Sequence, residues 1–264
     1  KKIAKFILEN PQKTVNLTMR KLVNEVGVSD GSIINFANRV GYDGFTSLKI
    51  GIAQCLSKHN SLIFNNVSEE DSVKDAVKKM MDNAVSSFQS TYDINRSGDF
   101  DKAASLIMNA RKRIEIYGVA SSSMVAQDAY YRFMKIGLPA VAVTDALICP
   151  VSATMLDEDC LALAISYTGR TDDIVKTIEI AKKQKAKCMC ITSYASSPLS
   201  KICDVSIVVA SKESEIENEA TVSRLTQLLI LDSLCSYIGF KRKEITLEKR
   251  LQINDIMDDH YKKY

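Results

Sequence analysis

A continuous apolar run that breaks into a hydroxyl-rich turn constrains this sequence more than any other feature. The run Cys160–Ile165 contains no charged side chain, which is typical of a parallel strand buried on both faces. It passes directly into Ser-Tyr-Thr-Gly-Arg-Thr, and a helix is predicted to begin at Asp172. Parallel strands need crossover connections, so the sequence predicts an α/β fold with a doubly wound parallel sheet.

The turn after this strand is suited to phosphate. Ser166, Thr168 and Thr171 each supply a hydroxyl, and Gly169 permits a positive φ. The free amides at the start of the next helix add oriented donors and a favourable dipole. We therefore predict an anion site in this turn and exclude a cation site.

A second turn of the same kind occurs earlier in the chain. Residues 113–117 are predicted to form a strand, followed by a polar loop with Ser121 and Ser122 and by a helix over residues 124–136. Either turn alone would more often be an ordinary helix cap. Open α/β sheets bind ligands at the carboxyl ends of strands at a switch point, so the two turns together predict two walls of one pocket.

These paired turns resemble the sugar isomerase (SIS) domain, a phosphosugar-binding α/β fold. The family pattern has a glycine turn with paired serines, followed by Ser-x-Ser-Gly-x-Thr, and Thr168 stands where serine is usual. The resemblance covers about residues 100–240 and implies a phosphorylated sugar as ligand. The residues that match the pattern or line the implied pocket are Gly118, Ser121, Ser122, Ser166, Thr168, Gly169 and Thr171.

Composition agrees with two domains. The chain has 264 residues, 46% of them hydrophobic, which exceeds the usual size of one domain and suffices for substantial cores. Its most apolar stretch, residues 136–156, is interrupted by Pro139, Asp145 and Pro150, so no membrane span is predicted. The first residues lack the apolar core of a signal peptide. We expect a cytoplasmic protein without a membrane partner.

The seven cysteines form no Cys-x-x-Cys pair, and several lie in apolar runs. This pattern supports neither a zinc site nor a disulfide framework, and it indicates buried free thiols in a reducing compartment. Redox sensing by Cys188 and Cys190 is disfavoured because their strand is predicted to be internal. We expect neither a metal nor a cofactor.

Charge is distributed unevenly along the chain. Residues 1–66 contain nine Lys and Arg and four Asp and Glu, a net charge of +5. The remaining 26 basic and 28 acidic residues leave −2. We predict a small basic domain over residues 1–66 with a polyanion such as DNA as its partner, a ligand domain over 67–264, and a linker near residues 58–71. Charge alone does not decide this, because basic helical faces are usually just solvated. Farther along the chain, apolar side chains at helical spacing predict long helices over residues 72–92 and 219–237.

The basic segment has the pattern of a helix-turn-helix, preceded by the end of a helix over residues 2–9 that stops at Asn10-Pro11. Thr18 is placed to cap a helix that runs to Val26 and ends at Gly27. Ser29 is placed to cap a second helix over residues 30–40, and its apolar residues, Ile33, Phe36, Ala37 and Val40, are spaced to pack against the first. In such a motif the second helix lies in the major groove and its exposed side chains meet base edges.

The polar positions of this motif are the candidate DNA contacts. Asn35 and Asn38 are suited to adenine, and Arg39 is suited to guanine. The alternative is an ordinary helical hairpin whose polar positions are merely solvated. The predicted DNA-binding residues are Arg20, Lys21, Ser29, Ser32, Asn35, Asn38, Arg39 and Lys49, with Arg20, Lys21 and Lys49 assigned to phosphates.

The segment from Arg39 to Lys49, which reads R-V-G-Y-D-G-F-T-S-L-K, looks like the N-terminal domain of RpiR-type transcriptional regulators. That family carries an SIS domain behind its helix-turn-helix. The resemblance implies an operator duplex, a phosphosugar effector, and a homodimer or dimer of dimers. Asn35 and Asn38 stand where the family often has Arg or Lys, so an operator sequence cannot be transferred.

The alternative function is an SIS-type sugar-phosphate isomerase with an accessory helical domain. Isomerisation needs an acid-base pair, but His59 lies near the predicted linker and His260 lies beyond residues 100–240, which carry the SIS resemblance. Glu219 would act as a base, bind a sugar hydroxyl, or merely complement a helix dipole. We therefore predict no catalytic residue and place Glu219 among the ligand-binding candidates.

Overall fold

The computed structural model describes residues 2–49, 51–52, 67–210 and 221–261. The chain folds into two compact units, residues 1–79 and 80–264. The predicted linker near residues 58–71 lies mostly outside the described residues.

The first unit is helical. Its described helices before residue 53 are α1 (Lys2–Glu9), α2 (Pro11–Asn16), α3 (Met19–Val26), α4 (Asp30–Arg39) and α5 (residues 44–49). The helix α2 is not predicted from the sequence, where Pro11 reads only as a stop for α1. Proline also suits the first position of a helix, because its missing N–H has no partner there in any case.

The predicted caps of the helix-turn-helix are confirmed. The Thr18 hydroxyl accepts a hydrogen bond from the Lys21 N–H at 3.4 Å, and Gly27 ends α3 with φ 68°. The Ser29 hydroxyl accepts from the Ser32 N–H at 3.3 Å. Side chains and glycine conformation therefore fix the turn between α3 and α4 from within the segment.

A small apolar core holds this unit together. Its buried members come from α1, α3, α4 and α5, and they are Ile3, Leu22, Ile33 and Phe45. Val40, predicted to face this core, is exposed. The prediction is wrong because α4 ends at Arg39, and Val40 caps the helix instead of continuing its inner face.

Within its described residues, the second unit is an α/β domain with a five-stranded parallel sheet in the order β2-β1-β3-β4-β5. Its strands are β1 (Arg113–Tyr117), β2 (Ala140–Val143), β3 (Cys160–Ile165), β4 (Lys187–Thr192) and β5 (Val205–Val208). Its helices are α7 (Ser97–Asn109), α8 (Ser121–Lys135), α9 (Ile148–Ala153), α10 (Asp172–Lys183), α11 (Pro198–Ile202), α12 (Thr221–Lys241) and α13 (Lys243–Tyr261). The helix α6 (Val73–Ile94) begins in the first unit and continues into this one.

Helices cover both faces of the sheet. One apolar core joins it to α7, α8 and α12, and a second joins it to α9, α10 and α11. Strand β3 is buried at every position, as its unbroken apolar sequence predicts. The doubly wound fold is confirmed.

Two predicted boundaries differ from the structure. The helix α8 begins at Ser121 and not at residue 124, so its serines form the first helical turn instead of a loop. The long helix predicted over residues 72–92 extends from Val73 to Ile94. The predicted start of α12 at Glu219 lies outside the described residues.

The cysteines in the described residues are free thiols. Burial raises the pKa of the Cys188 thiol to about 12, which keeps it protonated and unreactive. In these same ranges, no cluster of three or more His, Cys, Asp or Glu is placed to hold a metal ion. No described helix has the length and apolar character needed to cross a membrane.

Strand β1 buries a carboxylate that the sequence analysis did not single out. Glu115 is fully buried and accepts hydrogen bonds from the Ser152 hydroxyl at 2.8 Å and from the Tyr117 hydroxyl. The Arg113 guanidinium lies 2.9 Å from the same carboxylate. Burial and the Glu115 interaction raise the pKa of Tyr117 above its ordinary value. The network ties α9 to the strand that leads into the first hydroxyl-bearing turn.

We expect Glu115→Ala to lower the free energy of unfolding by about 2 to 4 kcal/mol, because the Tyr117 and Ser152 hydroxyls lose their buried acceptor. Glu115→Gln keeps one acceptor oxygen, so it should lose less. The matched control is Glu158→Ala at an exposed position, which should change stability by less than about 0.5 kcal/mol. Urea unfolding followed by circular dichroism measures all three. Equal midpoints for the two alanine variants would show that the network contributes nothing.

Candidate functional site

The two hydroxyl-bearing turns lie side by side at the carboxyl ends of two neighbouring strands of the sheet. Strands β1 and β3 are paired in parallel, with Tyr117 opposite Ala164 at their carboxyl ends. After β1 the chain continues to β2 on one side of the sheet, whereas β4 and β5 follow β3 on the other side. The topological switch point therefore lies between the carboxyl ends of β1 and β3. It is the position where open α/β sheets bind ligands.

The turn after β3 gathers hydroxyls around a buried serine. Ser166 is only 3% exposed, and its hydroxyl accepts a hydrogen bond from the Gly169 N–H at 3.2 Å. The Ser166 and Thr171 hydroxyl oxygens are 3.4 Å apart. Thr168 accepts from the Arg170 N–H at 3.2 Å. The structure therefore brings Ser166 and Thr171 together, as the sequence analysis expects of a single site.

Gly169 is required for two separate reasons. Its φ of 61° lies in the left-handed region that disfavours other residues. A Cβ there would also clash with the Ser197 side chain and lie 2.8 Å from the Thr192 hydroxyl oxygen. The predicted positive φ is confirmed. The close approach of Thr192 and Ser197, at the end of β4 and in the loop after it, is an additional constraint.

The start of α10 offers amides, but its own side chains are acidic. Thr171 occupies the N-cap position, and among the described residues its hydroxyl makes no capping hydrogen bond. Asp172 and Asp173 follow it and are exposed. Their carboxylates already complement the helix dipole. A phosphate at this turn would therefore be held by hydroxyl and amide donors more than by net charge.

The turn after β1 is held in a strained conformation. A Cβ on Gly118 would lie 2.5 Å from the Ser122 carbonyl oxygen, so a larger residue does not fit. Ala120 has φ 50° and ψ −129°, a region that residues with a side chain rarely adopt. The Ser123 hydroxyl donates to the Ala120 carbonyl at 2.6 Å. Ser121 is exposed and Ser122 is partly exposed in the same helical turn.

A third loop, which was not predicted from the sequence, follows β4 and supports the turn after β3. The Thr192 hydroxyl donates to the Tyr167 carbonyl at 3.0 Å, and the Ser193 N–H donates to the same oxygen at 2.9 Å. The Tyr167 and Tyr194 rings meet edge to face at 5.8 Å, and the Arg170 guanidinium lies 5.5 Å from the Tyr194 ring centre. The signal available was the hydroxyl-rich segment after a third buried strand. Glu219 lies outside the described residues.

The outer face of α4 carries the predicted base-reading side chains. Four of them are exposed and lie away from buried Ile33 and Ala37, namely Ser32, Asn35, Asn38 and Arg39. Ser29 and Ser32 are linked through their hydroxyl oxygens at 3.0 Å. Ser29, which was predicted as a DNA contact, is exposed and also caps the N-terminus of α4.

The three cations predicted to grip phosphate differ in their surroundings. Arg20 and Lys21 are exposed on α3. Lys49 is partly buried, its ammonium donates to the Leu17 carbonyl at 3.2 Å, and it lies 5.4 Å from the Phe45 ring centre. Lys49 thus stabilises the helical unit, which leaves Arg20 and Lys21 as the stronger phosphate candidates.

Comparison with known proteins agrees with both halves of this description. The helix-turn-helix domain model of the rpiR family matches residues 1–59, and the SIS domain model matches residues 106–237. An HTH-type transcriptional regulator of Caldanaerobacter subterraneus is 36% identical over 241 residues, which cover 91% of this chain and 85% of that protein. The HTH-type transcriptional regulator HexR of Pseudomonas aeruginosa is 28% identical over 242 residues, covering 92% and 84%.

The structure of Vibrio vulnificus NanR in complex with ManNAc-6P has a TM-score of 0.65 and 20% identity to this chain, covering 98% of it and 92% of NanR. This likeness shows the fold. The two domain models and the 36% identical relative show the family. The chain therefore belongs to the rpiR family of helix-turn-helix transcriptional regulators, with an SIS domain behind its DNA-binding segment.

Proposed function

We propose that this regulator binds the phosphate of a phosphorylated sugar between its two strand-end turns and that this binding changes its affinity for operator DNA. The observation that carries the proposal is the pairing of β1 with β3, which sets both hydroxyl-bearing turns at one switch point. The proposed ligand contacts are Ser121, Ser122, Ser166, Thr168, Gly169 and Thr171, together with Glu219. Because its partner is DNA, we place the protein in the cytoplasm.

Neutral donors favour a phosphate ester over a simple carboxylate. A phosphate has three terminal oxygens that accept several hydrogen bonds at once, which matches converging hydroxyls and free helix amides. The complex of NanR with ManNAc-6P shows that a protein with this fold binds a phosphosugar.

We expect Thr171→Ala and Ser166→Ala to weaken sugar-phosphate binding by about 1.5 to 3 kcal/mol each, because each removes a hydrogen bond to a charged group. A thermal-shift screen of sugar phosphates identifies the tightest compound, and calorimetry then measures its affinity. Thr171→Ser keeps the hydroxyl and should bind nearly as the parent. Ser236→Ala, at an exposed position of α12, is the matched control.

Binding by the double alanine variant equal to that of the parent would mean that the pocket lies elsewhere. The same compounds test the isomerase alternative, since we propose that the protein releases them unchanged. Steady conversion of any aldose phosphate to its ketose by the purified protein would support the enzyme instead.

We further propose that the protein acts on DNA as a homodimer. Four apolar side chains of α6 recur at a spacing of four residues and are exposed, namely Val73, Val77, Met81 and Val85. Such a stripe is typical of a contact between copies of a chain. A two-fold dimer presents two α4 helices to two related half-sites.

We expect Lys21→Ala to weaken binding to every duplex alike, because a phosphate contact carries no sequence information. Asn35→Ala should instead reduce discrimination between the operator and a mismatched site by about 1 to 3 kcal/mol. Fluorescence anisotropy with a duplex selected from a random library, and with a scrambled duplex, measures both. Lys183→Ala, at an exposed position of α10, is the control. A parent protein that binds both duplexes equally would contradict the assignment.

We expect the two ligands to be coupled by about 1 to 3 kcal/mol, in a direction that the experiment decides. The sugar phosphate should change operator affinity, and the operator should change sugar-phosphate affinity by the same factor. Titrations of each ligand with and without saturating amounts of the other measure the two factors. Identical operator curves with a sugar phosphate already shown to bind would mean that the SIS domain does not regulate DNA binding.

A further inference from the structure

An apolar side chain lies outward on the helix that carries the proposed base readers. Ile34 of α4 is 41% exposed. It is absent from the apolar side chains that pack on the buried core of residues 2–49, although its neighbours Ile33 and Phe36 belong to that group. A β-branched residue is a weaker helix former than a straight-chain polar one, so neither the buried core nor helix propensity accounts for an isoleucine at position 34.

Ile34 lies on the same side of α4 as two of the proposed base-reading side chains. Gly31, Ile34, Asn35 and Asn38 follow the spacing of three and four residues that places side chains on one side of a helix. This side faces away from buried Ile33 and Ala37. It carries no charged group, and a Cβ added to Gly31 would have no atom within 4 Å. The surface is therefore apolar and amide-bearing, with room for close approach.

This chemistry matches one kind of base pair in the major groove. Thymine presents a C5 methyl group there, and adenine presents the acceptor and donor that an amide side chain pairs with. Guanine is read by bidentate Arg or Lys, and Arg39 in the last turn is the sole basic side chain among residues 30–39. We infer that Ile34 reads a thymine methyl beside an adenine bound by Asn35 or Asn38, so the half-site is A·T at these positions.

This inference rests on the proposed binding of DNA, and its test separates the two. Full-length protein first selects duplexes from a random-sequence library. The selected duplex is then synthesised with thymine and with deoxyuridine, which lacks only the methyl group, within the half-sites. Affinities for the two duplexes are measured by anisotropy for the parent, Ile34→Val, Ile34→Ala, and the control Leu8→Ala, which truncates an exposed apolar residue of α1.

The parent should prefer thymine by about fourfold for each methyl that it contacts, the factor expected for burying one such group. Ile34→Ala should bind the two duplexes equally, and Ile34→Val should fall between. Leu8→Ala should keep the parent's preference.

A parent without methyl preference, or an Ile34→Ala variant that retains it, would overturn the inference while leaving DNA binding intact. Selection of half-sites that are G·C throughout would overturn it as well. A parent that enriches no sequence would refute operator recognition itself, and the inference with it.

Discussion

The parallel pairing of β1 with β3 is the contact on which the second unit depends. It joins the two halves of the sheet, and its register places Tyr117 opposite Ala164. Both turns begin within two residues of this pair. A slip of one residue between the strands would therefore separate the hydrogen-bond donors of the two turns and would move each side chain of the slipped strand to the opposite face of the sheet. The two faces of β3 fix the register because they differ in size: Leu161, Leu163 and Ile165 pack in one core, and Cys160, Ala162 and Ala164 pack in the other. The proposed phosphate site thus inherits its geometry from the core.

Much of this could be predicted from the sequence, where signals are local. The apolar run of β3 predicts a central strand, and Thr18, Gly27 and Ser29 predict both ends of the turn in the helix-turn-helix. These features succeed because strand burial and helix caps depend on residues that are close along the chain. Even Gly169 reveals its positive φ in this way.

The features that were missed depend on contacts between distant residues. The Glu115 carboxylate is held by Ser152, 37 positions later, and Lys49 bonds to Leu17, 32 positions earlier. Neither partner can be identified without the fold. Val40 shows the opposite error, since its spacing fits the inner face of α4 but the helix ends one residue before it. Periodicity predicts a face only as far as the helix continues.

The acidic first turn of α10 implies that the proposed phosphate site and the proposed DNA-binding surface differ in how strongly salt weakens their binding. Arg20 and Lys21 are exposed, and a duplex bound through them, as we propose, would release counterions, so its affinity would fall steeply as salt rises. The proposed phosphate site at Ser166 and Thr171 has one neighbouring cation, Arg170, but Asp172 and Asp173 follow it, so residues 166–173 carry a net charge of −1. Screening has much less to weaken there. On these proposals, high salt should release DNA from the protein while the sugar phosphate stays bound, so effector binding can be measured on the full chain in the absence of DNA binding.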